Sequence, residues 1–131
     1  MTYLGTMKLI KHTEAPVFDA EALTVTGYAA PSRGTSAVSM WQIELAPGST
    51  SPPHYMDCEE VFLGVHGHAV ASIDENNHPL GPGDCLILPA GTTFTFHVPG
   101  DEPFRAVACI PVGGQATMVP DGPTFAPPWA A

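Results

Sequence analysis

Short segments in which apolar and polar residues alternate at every second position most constrain the fold of this chain. In residues 37–45, the side chains of Trp41, Ile43 and Leu45 share one face of an extended strand, with polar residues between them. Similar segments, rich in β-branched and aromatic residues, cover residues 60–65, 69–73, 84–88, 92–98 and 104–110. This period indicates half-buried strands and therefore an all-β fold. The strongest helical alternative, residues 19–24, is too short to organise a fold.

Glycine and proline separate the alternating segments. The chain has 13 Gly and 15 Pro among 131 residues, and clear turn signals occur at residues 46–48, 74–77, 81–84, 89–91 and 99–101. Strands therefore recur about every 10 to 14 residues, which is typical of a β-sandwich or barrel. We expect one domain over residues 1–131, with its core at about 37–112.

The two ends of the chain differ from this core. We expect an N-terminal arm over residues 1–18 and an extended, Pro-rich C-terminal tail over residues 118–131. Trp129 in the tail carries a large apolar surface. It is therefore predicted to dock on the body of the domain or on a second subunit.

The charge of the chain excludes several classes of partner. Lys and Arg total 4 against 13 Asp and Glu, which gives a formal net charge of -9. So few cations cannot neutralise a phosphate backbone, so no nucleic acid is expected as a partner. The same shortage argues against an anionic membrane surface, and no apolar run approaches the ~20 residues of a membrane-spanning helix.

Cysteine usage favours a reducing compartment. Cys58, Cys85 and Cys109 form no C-x-x-C pair, so they indicate neither a structural zinc site nor a redox motif. Residues 1–15 show no apolar core of a signal peptide. We therefore expect a cytoplasmic protein whose reduced thiols serve mainly as small apolar residues.

Two stretches of the chain place Gly, His, Glu and Pro at characteristic spacings. The residues concerned are Gly48, His54, Glu60 and Gly67 in the first stretch, and Gly83, Pro89 and Gly91 in the second. This pattern resembles the two motifs of the cupin superfamily, with seven of ten marked positions in register. The resemblance implies a small double-sheet cupin fold, a jelly-roll β-barrel, with a pocket between the sheets and usually a homodimer.

The departures from the cupin motifs concern the metal. In metal-bearing cupins two His, a Glu and a third His hold one divalent ion. Here Met56 stands at the second His, Phe94 at the third, and Val98 at a marked Asn. Only His54 and Glu60 remain as ligands, and a thioether binds poorly to most of these ions except Cu(I). No cofactor is therefore predicted, and a divalent transition metal stays as the alternative.

Two other residues are weaker candidates to complete a metal site. His97 lies three residues after Phe94, so strict alternation turns it to the opposite face unless a bulge intervenes. Cys58 has the same parity as His54 and Glu60, but it falls where cupins usually have a loop. The remaining histidines are interpreted as surface or interface residues: His12, His66, His68 and His78.

His54 and Glu60 suggest a metal-free acid–base pair. Both are expected to face an apolar cavity, where Glu60 would fix the tautomer of His54 and His54 would move a proton on a ligand. The predicted walls of this pocket are Met56, Phe62, Phe94 and Phe96. In the structural alternative, the polar pair is a remnant of a metal site and the walls fill the barrel as core.

Three functional hypotheses follow from these residues. The first is binding of an apolar or aromatic small molecule, with metal-independent chemistry of isomerase, lyase or cyclase type. The second is a metal-dependent, dioxygenase-like enzyme that uses His54, Glu60 and one further ligand. The third is a non-catalytic dimeric module with a packed barrel. The sequence alone leaves all three open.

Overall fold

The alternating segments form β-strands, and in residues 6–131 helical structure is limited to single 3₁₀ turns. The computed structural model describes residues 6–131, so residues 1–5 of the predicted N-terminal arm lie outside it. The strands are β1 (Val17–Ala20), β2 (Leu23–Ala29), β3 (Val38–Leu45), β4 (His54–Met56), β5 (Glu60–His66), β6 (Ala69–Ile73), β7 (Asn76–Leu80), β8 (Cys85–Leu88), β9 (Thr95–His97), β10 (Phe104–Pro111), β11 (Ala116–Met118) and β12 (Thr124–Phe125). The 3₁₀ turns are His12–Glu14, Pro31–Arg33 and Pro128–Ala130. Among the described residues, no helix has the length and apolar character that crossing a bilayer requires.

The strands form two antiparallel layers. One layer is a six-stranded sheet in the order β1-β2-β3-β10-β5-β8. The other is built from two three-stranded sheets, β12-β11-β4 and β7-β6-β9. Bridges between Thr50 and His97 and between His54 and Phe94 join these two smaller sheets edge to edge. The result is the predicted all-β architecture of two facing sheets, a jelly-roll β-barrel.

The six strands that the alternation predicts are confirmed with small shifts at their ends. They correspond to β3, β5, β6, β8, β9 and β10. The segment with a weak helical alternative, residues 19–24, is instead a hairpin of β1 and β2. This hairpin extends the six-stranded sheet beyond the range 37–112 proposed for the core.

The strands absent from the prediction are short or polar. β7 reads Asn-Asn-His-Pro-Leu, which combines residue types depleted in strands. It forms because it pairs with β6 along its whole length at the edge of its sheet, where Pro79 is tolerated. The turn predicted at residues 74–77 is correspondingly tighter. Only Asp74 and Glu75 separate β6 from β7, and both have positive φ angles.

The core lies between the two layers. On β10, Phe104, Ala106, Ala108 and Ile110 point inward and are at most 2% exposed. The two alanines leave room in the middle of the sheet, and phenylalanines from β5 and β9 occupy part of that room. Side chains of unequal size on facing strands therefore determine where the barrel is filled and where it stays open.

The motif glycines occupy left-handed backbone positions. Gly48, Gly67, Gly83 and Gly91 all have φ angles between 70° and 86°. A residue with a Cβ adopts this conformation only at a cost. Gly67 carries a second constraint, because a Cβ there would overlap the carbonyl oxygen of Pro103, whereas a Cβ at Gly48 would meet nothing.

We therefore predict that Gly67→Ala destabilises the protein more than Gly48→Ala does. Both variants carry the left-handed cost of about 1–2 kcal/mol. Gly67→Ala adds an overlap worth about 1–3 kcal/mol, because the backbone of residues 103 and 104 must shift. Urea unfolding of the two variants measures the difference, and equal free energies of unfolding would contradict this role of Gly67.

Candidate ligand site in the barrel

A cavity of about 180 Å³ lies between the two layers. Its walls come from strands of both sheets and from the C-terminal segment. They are almost entirely apolar, and the described residues that line it include no Lys or Arg. Two titratable side chains, His54 and Glu60, face this space.

Three phenylalanines form the deepest wall. Phe62, Phe94 and Phe96 pack edge to face, with ring centroids 5.0–5.7 Å apart. This is the preferred geometry of aromatic pairs, so it fixes the shape of the wall. Met56 also lines the cavity. The structure therefore places all four predicted wall residues around one space.

His54 enters the cavity from the start of β4. Its Nδ1 lies 3.1 Å from the carbonyl oxygen of Pro52. Since a carbonyl can only accept, Nδ1 carries the hydrogen and Nε2 keeps its lone pair. The ring packs on Phe94, with centroids 4.7 Å apart. Burial lowers the pKa of His54 although the bond to Pro52 opposes this, so the imidazole is neutral at pH 7.

Glu60 begins β5 and is 3% exposed. The alternation of this strand turns it inward together with Phe62. Its Oε1 has no hydrogen-bond partner. Burial raises the pKa of Glu60 from 4.5 to about 8, so the carboxyl is protonated at neutral pH.

The predicted contact between the two groups is absent. Within residues 6–131, no hydrogen bond or ion pair joins His54 to Glu60, and Pro52 fixes the imidazole tautomer instead. Sequence reasoning missed this partner because a backbone carbonyl leaves no signal in residue types. The cavity therefore presents two independent neutral groups, a basic imidazole nitrogen and an acidic carboxyl.

Comparison with known proteins identifies the family. The family model for the cupin domain matches residues 41–110, which span both motif stretches. The chain is a cupin. Auxin-binding protein 5 of Zea mays is 32% identical to this cupin over 83 residues, which are 63% of this chain and 53% of that protein. The chain spans about half the length, or less, of the auxin-binding relatives that it matches.

Solved structures agree on the fold. The polyketide cyclase RemF of Streptomyces resistomycificus superposes with a TM-score of 0.74 at 17% identity, covering 94% of this cupin and 89% of that chain. A salicylate 1,2-dioxygenase of Pseudoaminobacter salicylatoxidans gives a TM-score of 0.68 at 13% identity, covering 81% of this cupin and 31% of that chain. At such identities these structures establish the architecture and not the chemistry.

The four positions that hold a metal in other cupins do not fit one in this cupin. Met56 and Phe94 are 4% and 3% exposed, and both replace imidazoles. The backbone of Phe94 pairs with that of His54 on the neighbouring strand, and the Phe94 ring lies against the imidazole with centroids 4.7 Å apart. Across residues 6–131, no group of three or more His, Cys, Asp or Glu side chains could hold a metal ion. The remaining donors, His54 and Glu60, are too few for a divalent ion.

The two weaker ligand candidates lie away from the cavity. His97 is exposed, and its Nδ1 lies 2.9 Å from Thr50 Oγ1 on the outer side of the barrel. Cys58 sits in the loop between β4 and β5. Burial, Asp57 and Glu60 together raise the pKa of this thiol to about 11, so it stays protonated.

The C-terminal tail supplies a wall that the motifs do not predict. Pro127 and Trp129 line the cavity, and Trp129 packs against Phe18 with ring centroids 6.1 Å apart. This confirms that Trp129 docks on the body of its own domain. In the sequence, the large apolar area of the indole indicated that Trp129 docks. The position of Trp129 at the pocket depends on the path of the C-terminal tail.

We predict that Glu60 makes the stability of this cupin fall as the pH rises. Between pH 4.5 and about 8 the unfolded chain has lost this proton and the folded chain still holds it, so folding takes up a proton. The lowered pKa of His54 acts only below 6.5 and in the opposite direction, because the unfolded chain binds the proton there. Between pH 6.5 and 8 the Glu60 contribution amounts to about 2 kcal/mol.

Urea unfolding at pH 6.5 and 8 measures this fall. Glu60→Gln keeps the shape of the side chain and removes the proton, so its stability should change much less over the interval. Glu59→Gln, at the exposed neighbouring position, is the matched control and should behave like the wild type. A decline that survives in Glu60→Gln would show that another group causes it.

Proposed function

We propose that this cupin binds an apolar or aromatic small molecule in the barrel cavity and carries out metal-independent proton transfer on it. The observation that carries the proposal is an apolar cavity with two neutral titratable groups, His54 and Glu60. An acid and a base that are both uncharged near pH 7 suit general acid–base catalysis. The auxin-binding relatives support a small organic ligand.

The chemistry most consistent with this pair is isomerisation of a carbonyl compound. The Nε2 lone pair of His54 takes a proton from carbon next to the carbonyl, and Glu60 donates its proton to the carbonyl oxygen. An enol forms, with an imidazolium and a carboxylate left on the protein. When the substrate also has a carbon–carbon double bond, so that a conjugated dienol forms, the His54 imidazolium delivers its proton to the far carbon of the dienol. The enol O–H returns its proton to the Glu60 carboxylate as the carbonyl forms again, which gives the isomer and restores both groups. Cyclase and lyase reactions use the same enol intermediate and remain in the class.

The two other hypotheses are less well supported. A dioxygenase-like enzyme has a structural counterpart in the salicylate 1,2-dioxygenase, but the donor set here offers two ligands where a divalent ion needs more. A packed, non-catalytic module requires a filled barrel, and a cavity of about 180 Å³ does not favour that. The three free thiols are consistent with the proposed cytoplasmic location.

We further propose that the protein forms a homodimer through the outer face of its six-stranded sheet. An apolar patch on β3, β5 and β8 lies there, formed by Val38, Met40, Leu63, Val65 and Ile87. Each is at least 39% exposed. β10 runs between β3 and β5 and adds the half-buried Val107 and Cys109 to the same face, and an exposed apolar surface of this kind marks an interface. A second copy is the partner that fits best, because a net charge of -9 makes copies repel each other except at a face without net charge. The charged residues Glu44 and Arg105 on this face form an ion pair with each other.

Proton exchange on a bicyclic ketone tests the catalytic proposal. In D₂O, the wild type should accelerate exchange of the hydrogens next to the carbonyl of 2-tetralone, followed by NMR. His54→Gln and Glu60→Gln should each lower this rate by about 10²-fold or more, because each removes one member of the acid–base pair. His97→Gln is the matched control, since His97 is exposed and outside the cavity. Exchange that continues unchanged in His54→Gln would overturn the assignment.

Light scattering tests the homodimer. The wild type should show twice the mass of one chain, whereas Leu63→Lys and Ile87→Lys should shift the protein to the monomer by placing charges in the apolar patch. Val17→Lys alters an exposed valine at the opposite edge of the same sheet and should leave the dimer intact. A monomeric wild type would refute this interface.

A further inference from the structure

Two buried polar atoms at the cavity have no hydrogen-bond partner. They are Oε1 of Glu60 and Nε1 of Trp129, and both residues line the cavity. Among the described residues, only Thr35 Oγ1 shares this condition. Buried polar groups in folded proteins nearly always have partners. Two such atoms at one cavity therefore point to a bound molecule that supplies them.

The indole of Trp129 is held in place by the protein itself. Arg33 Nη2 donates to the carbonyl oxygen of Trp129 at 3.0 Å, and Ser39 Oγ donates to that of Ala130 at 2.7 Å. The Phe18 ring packs edge to face against the indole, with centroids 6.1 Å apart. The indole N–H thus stands ready as a donor before any ligand arrives, which lowers the entropic cost of using it.

The charge around the cavity favours an uncharged ligand. Within residues 6–131, no Lys or Arg lines the cavity, and Arg33 donates to the backbone carbonyls of Tyr28 and Trp129. An anion would lose its hydration here without gaining a counter-charge. A protonated carboxyl and a neutral imidazole likewise offer hydrogen bonds rather than charge.

We infer that Trp129 determines ligand specificity: the cavity takes an uncharged ring compound with a carbonyl-type oxygen, and the indole N–H of Trp129 donates to a ligand oxygen. The carboxyl of Glu60 donates to the other lone pair of the same oxygen, as the proposed proton transfer requires. This inference rests on the proposed function, because it assumes that the cavity binds a ligand. It adds to the proposed function that the ligand is uncharged and that the C-terminal tail recognises an oxygen atom of the ligand.

Three probes of nearly equal shape test the inference. 2-Acetylnaphthalene is neutral and carries a carbonyl oxygen, 2-naphthoate carries a charge, and 2-isopropenylnaphthalene has a methylene group in place of the oxygen. Titration at pH 6.5 into the wild type and Trp129→Phe, followed by ¹H–¹⁵N NMR, gives the affinities. The chain has 2 Trp residues, so Trp129→Phe assigns the two indole signals.

We expect the ketone to bind the wild type about tenfold more tightly than either other probe, because its oxygen accepts from both Trp129 and Glu60. The indole signal of Trp129 should move with the ketone and far less with the alkene. In Trp129→Phe the preference for ketone over alkene should fall to about threefold, because Glu60 still donates to the oxygen, while alkene affinity stays within about twofold. The indole signals of the wild type test the inference even if the variant does not fold, because movement of neither signal beyond that seen with the alkene would overturn the role of Trp129.

The contrary results separate the two proposals. Equal affinity for ketone and alkene would overturn the role of Trp129 and leave ligand binding in place. Tightest binding of 2-naphthoate would overturn the requirement for an uncharged ligand. Failure of all three probes to bind the wild type would overturn the proposed binding function, and the inference with it.

Discussion

Edge-to-face packing of phenylalanines between the two layers is the interaction on which the rest of this barrel depends. Phe96 contacts Phe62, Phe94 and Phe104, with centroids 5.0–5.8 Å apart, and so connects the two layers. Ala106 and Ala108 on β10 are fully buried in the same core, where their small side chains leave room for the rings. The cavity lies beside the cluster because the rings keep the layers apart, and the C-terminal segment with Trp129 completes its wall.

Alternation and turn chemistry predicted the parts of the fold in which local preference and tertiary packing agree. Strands β3, β5 and β10 alternate clearly, and glycines such as Gly48 and Gly67 mark left-handed turns. The β7 strand violates strand propensity and forms only through its pairing with β6. The residue pattern of one strand does not indicate which strand it pairs with, so propensity alone could not predict β7.

For the candidate site, the positions of the residues were predictable from strand alternation and motif spacing. Parity along β5 placed Glu60 and Phe62 on the inner face, and motif spacing placed His54 and Phe94 beside them. The tautomer of His54 was not predictable, because it depends on the Pro52 carbonyl and hence on a backbone path. The polar role of Trp129 likewise depends on how Arg33 and Ser39 hold the tail.

Phe94 stands where other cupins have a metal-binding histidine. This replacement changes the chemistry available to the two remaining ligand residues, His54 and Glu60. An ionised carboxylate in an apolar cavity needs a nearby positive charge, and the walls here provide none. Phe94 occupies the position where such a centre would be completed, so burial alone acts on Glu60 and raises its pKa to about 8. In the proposed function, the residue that would be an anionic ligand elsewhere therefore acts here as a proton donor. His54, with Nε2 unprotonated, is then its complement as a base rather than a ligand.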